Sequence, residues 1–401
     1  MHDGLLVLNA GSSSIKFALF ESPPEDRDPV LLLRGQVAAI GAGVVFQARD
    51  VAGDTLEETS PEGVEDHPSA LRHILQWLAA REGQVELVAV GHRVVHGGEG
   101  RVRPALVNPE LLAALERLSP LAPHHQPHNV AAIRAMGEQA LGLPQVACFD
   151  TAFHAAQPPV ARRLPLPRSF ADEGLLRYGF HGLSYEFVVD ELRRTAPESA
   201  AGKVIAAHLG NGASLCAMRD GRSVATTMGF STLDGLVMGT RCGSLDPGVL
   251  LHLMREHGMG EPQLTDLLYN RSGLLGLSGV SSDMRSLLDS DDAGAEAAVE
   301  SFCYSIVRHT ASLAAALEGI DVLVFTGGIG ENAAPVREQV CRRLGWLGVT
   351  LDPEANGCGR RRIDAPESAV EVWVVPTNEE LVIARHTRRV LREGAAESGT
   401  V

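Results

Sequence analysis

The chain has 401 residues, 45% of them apolar, with a mean hydropathy of +0.03. That length favours two domains with sizeable cores, and no stretch is long enough to span a membrane. A formal net charge of −15 argues against a nucleic-acid or anionic-membrane surface, so any anion site must be built locally from arginines and glycine loops. Forty-two glycines suit a turn-rich α/β enzyme. Six cysteines (Cys148, Cys216, Cys242, Cys303, Cys341, Cys358) form no CxxC pair and read as buried free thiols in a reducing, cytoplasmic setting. The first apolar run is short and broken by Asn9 and Lys16, unlike a signal peptide.

In chain order, Leu5–Leu8 and Ile15–Phe20 read as two strands around a turn of small residues, Asn9 to Ser14. Such a turn lets backbone N–H groups and hydroxyls approach an anion, although alone it is a common structural hairpin. A polar, proline-rich turn spans Glu21 to Pro29, and Val30 to Val51 reads as short strands broken at Gly41 and Gly43. Pro68 to Arg81 is helical, with Leu71, Ile74, Leu75 and Leu78 on one face. Leu87–Val95 is a buried strand. Pro109 opens a helix, Pro120 to Pro127 is a histidine-rich loop, Asn129–Leu141 is helical, and Val146–Phe149 is a strand ending at Asp150, where the domain boundary is expected.

Beyond a loop-rich stretch to Phe180, Ser184 is expected to cap a helix to Thr195. Val204 begins a second strand–glycine turn–strand passage, its turn (Gly210 to Ser214) expected one residue longer than the first. Asp246-Pro247 starts a helix through His257, and a long helix runs from Ala293 to Leu317 with Gly319 as its stop. Val322 leads into a third glycine passage, followed by a helix over Asn332–Leu344. Val370–Val375 is a strand, Glu379–Arg392 is the last helix, and the tail beyond Glu393 is expected to fray. The recurrence of the hairpin half a chain later suggests two related α/β domains that each present a glycine turn to one cleft.

The blocks HRVVHGGE, FDTAFH, YGFHGLSY, HLGNGAS, MGTRCGSLDPG, FTGGIGEN and PTNEEL, in this order, resemble the acetate kinase family of the acetate and sugar kinase/Hsp70/actin superfamily. The resemblance runs from Leu5 to about Arg385. It implies two actin-like (ribonuclease H-like) domains with a nucleotide cleft between them: residues 1–150, with the C-terminal helix 380–401 packed back on them, and residues 151–379. It also implies a homodimer and Mg²⁺-dependent transfer from ATP to acetate, giving acetyl phosphate and ADP, with Mn²⁺ as an alternative ion.

The chemistry is consistent with that expectation. A carboxylate acceptor is already ionised at neutral pH and needs no general base, whereas a sugar hydroxyl does. What it needs is cation density around the transferring group. Arg93, after a buried strand, is suited to bidentate contact with a carboxylate or phosphate. By the resemblance, Arg241 stabilises transition-state charge, His181 donates to the transferring phosphoryl oxygen, and Asn9 and Glu379 are metal-linked, with Asp150 close by as an orienting group. Val95, His125, Phe180 and Thr232 fall at the acyl site. His208, Leu209, Gly210, Asn211 and Gly212, then Asp283, Met284 and Arg285, then Gly327, Gly328, Ile329, Gly330 and Glu331 fall at nucleotide positions. Lys16 and Ser12 are placed on the phosphate side.

Four positions depart from the family. His124 stands for Leu, Gln126 for Asn, Thr232 for Pro and Ser244 for Asp, so an altered acyl pocket is expected, with propionate, butyrate or another short carboxylate as the alternative substrate. A metal site at His124, His125 and His128 is not expected, because Pro127 interrupts helical spacing. An actin-like assembly ATPase would not need Arg93, Arg241, His181 and Asp150 together, and a chaperone ATPase would need a further peptide-binding domain.

Overall fold

A computed structural model describes residues 2–23, 27–41, 43–81 and 85–398. It divides into two compact units, Met1–Ala152 with Asn378–Val401, and Phe153–Thr377. Thr151, Ala152, Asn378 and Glu379 therefore belong to the first. Part of the turn expected over Glu21 to Pro29, at 24–26, and the last three residues lie outside the described residues.

The first unit holds an eight-stranded sheet: β1 (His2–Ala10), β2 (Ile15–Glu21), β3 (Val30–Ala38), β4 (Val45–Asp50), β5 (Thr55–Thr59), β6 (Val85–Val94), β7 (Ala105–Leu106) and β8 (Gln145–Phe149). Their order is β5-β4-β3-β2-β1-β6-β8-β7. β1 to β5 form an antiparallel meander, and β1, β6 and β8 run parallel. Leu5 to Leu8 are at most 1% exposed, because helices cover both faces of β1. On one side lie α1 (His67–Ala79) and α3 (Gln126–Gln139), with α2 (Pro109–Arg117) beside α3; on the other lies the C-terminal helix Glu379–Ser398. A strand covered on both faces reads as a continuous apolar run, not an alternating one.

The C-terminal helix approaches β6 at Gly91. A Cβ there would meet the Thr387 hydroxyl and lie 2.6 Å from Ile383 Cγ2. Gly91→Ala is expected to cost about 1–3 kcal/mol through overpacking, read as a lower urea midpoint. Adding Thr387→Ala, which removes the hydroxyl the new Cβ would meet, should recover part of the loss, and an unchanged midpoint would contradict the close approach.

The second unit repeats the topology. β9 (Lys203–Leu209), β10 (Ala213–Arg219), β11 (Arg222–Thr226), β12 (Val322–Thr326) and β13 (Glu371–Val374) lie in the order β11-β10-β9-β12-β13. This third-second-first-fourth-fifth arrangement matches β3-β2-β1-β6-β8. It has the same antiparallel hairpins and the same parallel crossovers. One face is covered by α4 (Gly182–Thr195) and the other by the long helix α7 (Ala293–Leu317); α5 (Pro247–Glu256) and α6 (Glu261–Asn270) bury none of their residues.

Several local expectations need correction. The loop after β9 has three residues, Gly210 to Gly212, and that after β1 has four, Gly11 to Ser14; the second turn is the shorter. α3 starts at Gln126, so Pro127 sits in its first turn, where a missing N–H costs nothing. Ser184 is not a cap: His181, left-handed at φ 58°, precedes α4. α7 ends at Leu317 as expected, but its left-handed C-cap is Glu318, at φ 59°, with Gly319 after it. The third glycine passage is already helical as α8 (Gly327–Asn332), before α9 (Ala334–Arg343). The C-terminal helix continues past Glu393 to Ser398. β5 and β7 were not legible as strands. Cys358 is exposed and Cys242 half-buried; the other four cysteines are buried, and none of the six is in a disulfide.

Candidate active site

In the first unit the C-terminal ends of three parallel neighbours carry the expected residues. Asn9 follows Leu8 on β1, which pairs with His92 on β6; Arg93 comes next on β6, and Asp150 follows β8. Arg93 Nε donates to Asp150 Oδ1 at 3.0 Å, and Nη2 to Oδ2 at 2.7 Å. The third guanidinium nitrogen, Nη1, lies 3.2 Å from Glu379 Oε2, at the start of the C-terminal helix. The side chains of Asp150 and Glu379 are 2% and 13% exposed. Although burial opposes its charge, Asp150 and Glu379 hold the Arg93 guanidinium above its ordinary pKa. Burial pushes the Glu379 carboxyl up to about 7; Arg93 pulls it down, and Asp150 adds to the rise. Lys16, exposed on β2 opposite Asn9, also bears on Glu379.

Residues that sequence reasoning missed brace these strand ends. Asn129 of α3 accepts from the Val95 N–H at 3.0 Å and donates to the Ala10 carbonyl at 2.8 Å. Gln126, fully buried, accepts from the His96 N–H at 3.1 Å and donates to the carbonyls of His96 and Leu115. The first turn of α3 thus ties the ends of β1 and β6 together. The glycine turn after β1 is held by a 2.6 Å hydrogen bond between His67 Nε2 and the Gly11 carbonyl, and the His67 ring stacks on His128. In the sequence Gln126 stood out only as a departure from the family, and Asn129 only as the start of a helix.

In the second unit, the Gly210 N–H bonds the Gly212 carbonyl at 3.1 Å, closing the tight turn. His181 and Arg241 gather over it. A Cβ on Gly212 would lie 3.1 Å from Arg241 Nη2 and 3.4 Å from His181 Nε2, so only glycine leaves that space open. His181 Nδ1 bonds the Ser214 hydroxyl at 2.8 Å, and its ring stacks on His208 at 4.2 Å. His208 in turn bonds the Ser184 hydroxyl at 2.8 Å. Arg241 Nη1 donates to the Thr232 carbonyl at 2.9 Å. A Cβ on Gly239 would displace the Asn211 side chain.

A cleft of about 760 Å³ opens beside this turn. Its lining includes Gly210, Asn211, Asp283, Met284, Arg285 and Gly328, with Ile329 and Asn332 of α8. Leu209, Gly212, Gly327, Gly330 and Glu331 are not among its walls. Gly327, left-handed at φ 76°, packs against the Leu209 backbone, and the Glu331 carboxylate accepts from the N–H groups of Gly327 and Thr377 at 2.9 and 3.1 Å. Arg337, 2% exposed, donates to the carbonyls of Gly330 and Glu331 and to Asn356. These groups shape α8; the sequence did not single out Arg337 or Asn356.

Three of the four family departures, Gln126, Thr232 and Ser244, have local partners. Gln126 clamps backbone, as above. Ser244 donates to Asp234 at 2.7 Å, and Asp234 pairs with Arg177 at 3.0 Å. Thr232 is 6% exposed, with its hydroxyl against the Tyr269 phenol. Val95 and Phe180 are buried at 7% and 1%; His124 and His125 are half-buried in the turn before α3. Among the described residues no three His, Cys, Asp or Glu side chains form a metal cage. The oxygens of Asn9, Asp150 and Glu379 suit an ion that takes most of its ligands from water and phosphate, and a buried carboxyl raised like that of Glu379 gains from a nearby cation.

Residues 4–385 match the model of the acetokinase family. The acetate kinase of Rhodopseudomonas palustris (strain ATCC BAA-98 / CGA009) is 52% identical, over 98% of this chain and 100% of that protein. The crystal structure of Porphyromonas gingivalis acetate kinase superposes with a TM-score of 0.86 at 38% identity, covering 97% of this chain and 100% of that one. That of a propionate kinase from Francisella tularensis gives 0.90 at 34% identity, with the same coverage. Repeated sheet topology, strand-end arginine and carboxylates, and glycine-walled cleft thus accompany full-length sequence likeness, and the chain belongs to the acetokinase family.

Proposed function

We propose that this chain transfers the γ-phosphoryl group of ATP directly to acetate, reversibly, giving acetyl phosphate and ADP. The observation that carries this reading is the state of Asp150. Both of its oxygens are engaged by Arg93, which suits an orienting group and not a proton acceptor. A carboxylate acceptor needs no base, whereas a hydroxyl acceptor would need Asp150 released.

Arg93 holds the acceptor carboxylate, fixed by its two acidic partners. The acyl contacts are assigned to Val95, His125, Phe180 and Thr232. Arg241 and His181 face the transferring group from above the Gly210–Gly212 turn, where donors aimed at developing charge have most effect. The 760 Å³ cleft takes the nucleoside and its phosphates, with Lys16 on the phosphate side. Asn9 and Glu379 would hold Mg²⁺, or Mn²⁺ in its place, which when bound neutralises phosphate charge. Transfer is in line, and water must be kept from the line of attack, where it would compete with the carboxylate and hydrolyse ATP.

We also assign a cytoplasmic location and a homodimer. Among the described residues no helix is long and apolar enough to cross a membrane. Leu251 and Met254, neighbours one turn apart on α5, are 65% and 51% exposed, an apolar face suited to a second copy of the chain.

A hydroxylamine trap of acyl phosphate, with ATP, Mg²⁺ and a panel of short carboxylates, tests the function. Acetate is expected to give the strongest signal, since Gln126, Thr232 and Ser244 have local partners. A preference for propionate or butyrate would keep the mechanism and move the substrate. No signal with any acid, despite measurable ATP binding, would overturn the reading.

A further inference from the structure

The backbone around His181 is held in an unusual shape. Gly179 and His181 are both left-handed, at φ 78° and 58°, with Phe180 between them. A non-glycine residue in that region costs on the order of 1–3 kcal/mol and persists only when its surroundings enforce it. A hydrogen-bonded chain outside the residues assigned above does so. Gln157 Nε2 donates to the Ser223 hydroxyl at 2.9 Å, the hydroxyl meets His154 Nδ1 at 2.9 Å, and His154 Nε2 meets the Phe180 carbonyl at 2.9 Å. Gln157, Ser223 and His154 are 4%, 2% and 1% exposed.

The Phe180 carbonyl fixes the tautomer of His154. A carbonyl only accepts, so His154 carries its proton on Nε2. Nδ1 is then bare and accepts from Ser223, whose oxygen accepts from Gln157. Burial pulls His154 down to about 4, so the ring stays neutral and the tautomer is kept near neutral pH. The ring also fills the space above Gly179, where a Cβ would lie 2.6 Å from His154 Cγ.

We propose that His154, oriented by Ser223 and Gln157, is a positioning residue for phosphoryl transfer: it fixes the Phe180 carbonyl and thereby the left-handed His181 that faces the transferring group. The role rests on the phosphotransfer reading; the proton placement does not. His154→Phe keeps a ring of similar shape and removes both hydrogen bonds. It should lower kcat about tenfold to a hundredfold, as expected for a misplaced reacting group, while KM for ATP and ADP binding stay within about twofold. His154→Gln, which retains a donor, should recover part of kcat. Lower stability with unchanged kcat would overturn the positioning role. If His154→Phe does not fold, Ser223→Ala takes its place, with the same expected split between kcat and KM.

Nitrogen NMR of the histidine rings in the wild-type protein reads the proton directly. A proton on His154 Nε2 is expected, and one on Nδ1 would overturn the proposal whatever the activity. Should wild-type protein make no acyl phosphate while His154 shows the expected tautomer, the phosphotransfer reading fails and the hydrogen-bonded chain stands.

Discussion

Arg241→Ala is expected to lower kcat by about two to three orders of magnitude, the effect of removing a donor aimed at developing charge, while ADP still binds. Arg241 is tethered through Nη1 to the Thr232 carbonyl, and Nη2 reaches over Gly212. It is not among the walls of the nucleotide cleft, so binding and chemistry should separate. Gly273, left-handed and packed against the Arg241 backbone, sets the base from which the side chain reaches. Arg241→Lys should not restore the rate, because lysine carries all its donors on one nitrogen and cannot occupy both the Nη1 position at the Thr232 carbonyl and the Nη2 position over Gly212. Steady-state acyl phosphate formation beside calorimetric ADP titration checks this. Lost ADP binding with turnover retained would contradict the assignment.

Arg93→Met is expected to abolish activity and to destabilise the first unit as well. The guanidinium is the cation between Asp150 and Glu379. Its removal leaves two buried carboxyls facing one another, a loss of about 3–5 kcal/mol for breaking a buried pair. The sign with pH follows from Glu379, whose folded pKa is already raised from 4.5 to about 7 by burial. A carboxyl with a raised folded pKa costs nothing below its unfolded value, and its cost grows as pH rises through the folded one. Without Arg93 the folded pKa of Glu379 rises further and the cost keeps growing to higher pH, so the deficit in urea midpoint should be smallest near about pH 4 and largest by about pH 8. Arg93→Met with Glu379→Gln should regain stability at the higher pH without regaining activity. A deficit that is flat with pH would remove Glu379 from the account.

What was legible in the sequence depended on the range of the interaction. Apolar runs and turn residues are local, so Leu5–Leu8, the glycine hairpins, the Pro109 and Asp246 helix starts and the Ala293–Leu317 helix could be read directly. β5, with most of its residues exposed, and β7, two residues long, carry almost no burial pattern, so they could not. Caps were misjudged where tertiary contacts override local preference. Ser184 has a good capping side chain, but its hydroxyl is used by His208 and Thr377, and the left-handed His181 takes the position instead.

The sequence by itself determined the repeated hairpin and the family blocks that contain Arg93, Asp150, His181, Arg241 and Glu379. Only the tertiary structure decided how those side chains are held. It brought Glu379 from the last helix to Arg93, and paired both oxygens of Asp150. It turned Gln126, a departure from the family, into a backbone clamp. It assembled His154, Ser223 and Gln157 beneath Phe180. The physical reason is that burial and hydrogen-bond partners come from residues far apart in the chain. Which carboxyl is raised and which histidine is locked depends on what surrounds them, and neighbouring letters do not encode that.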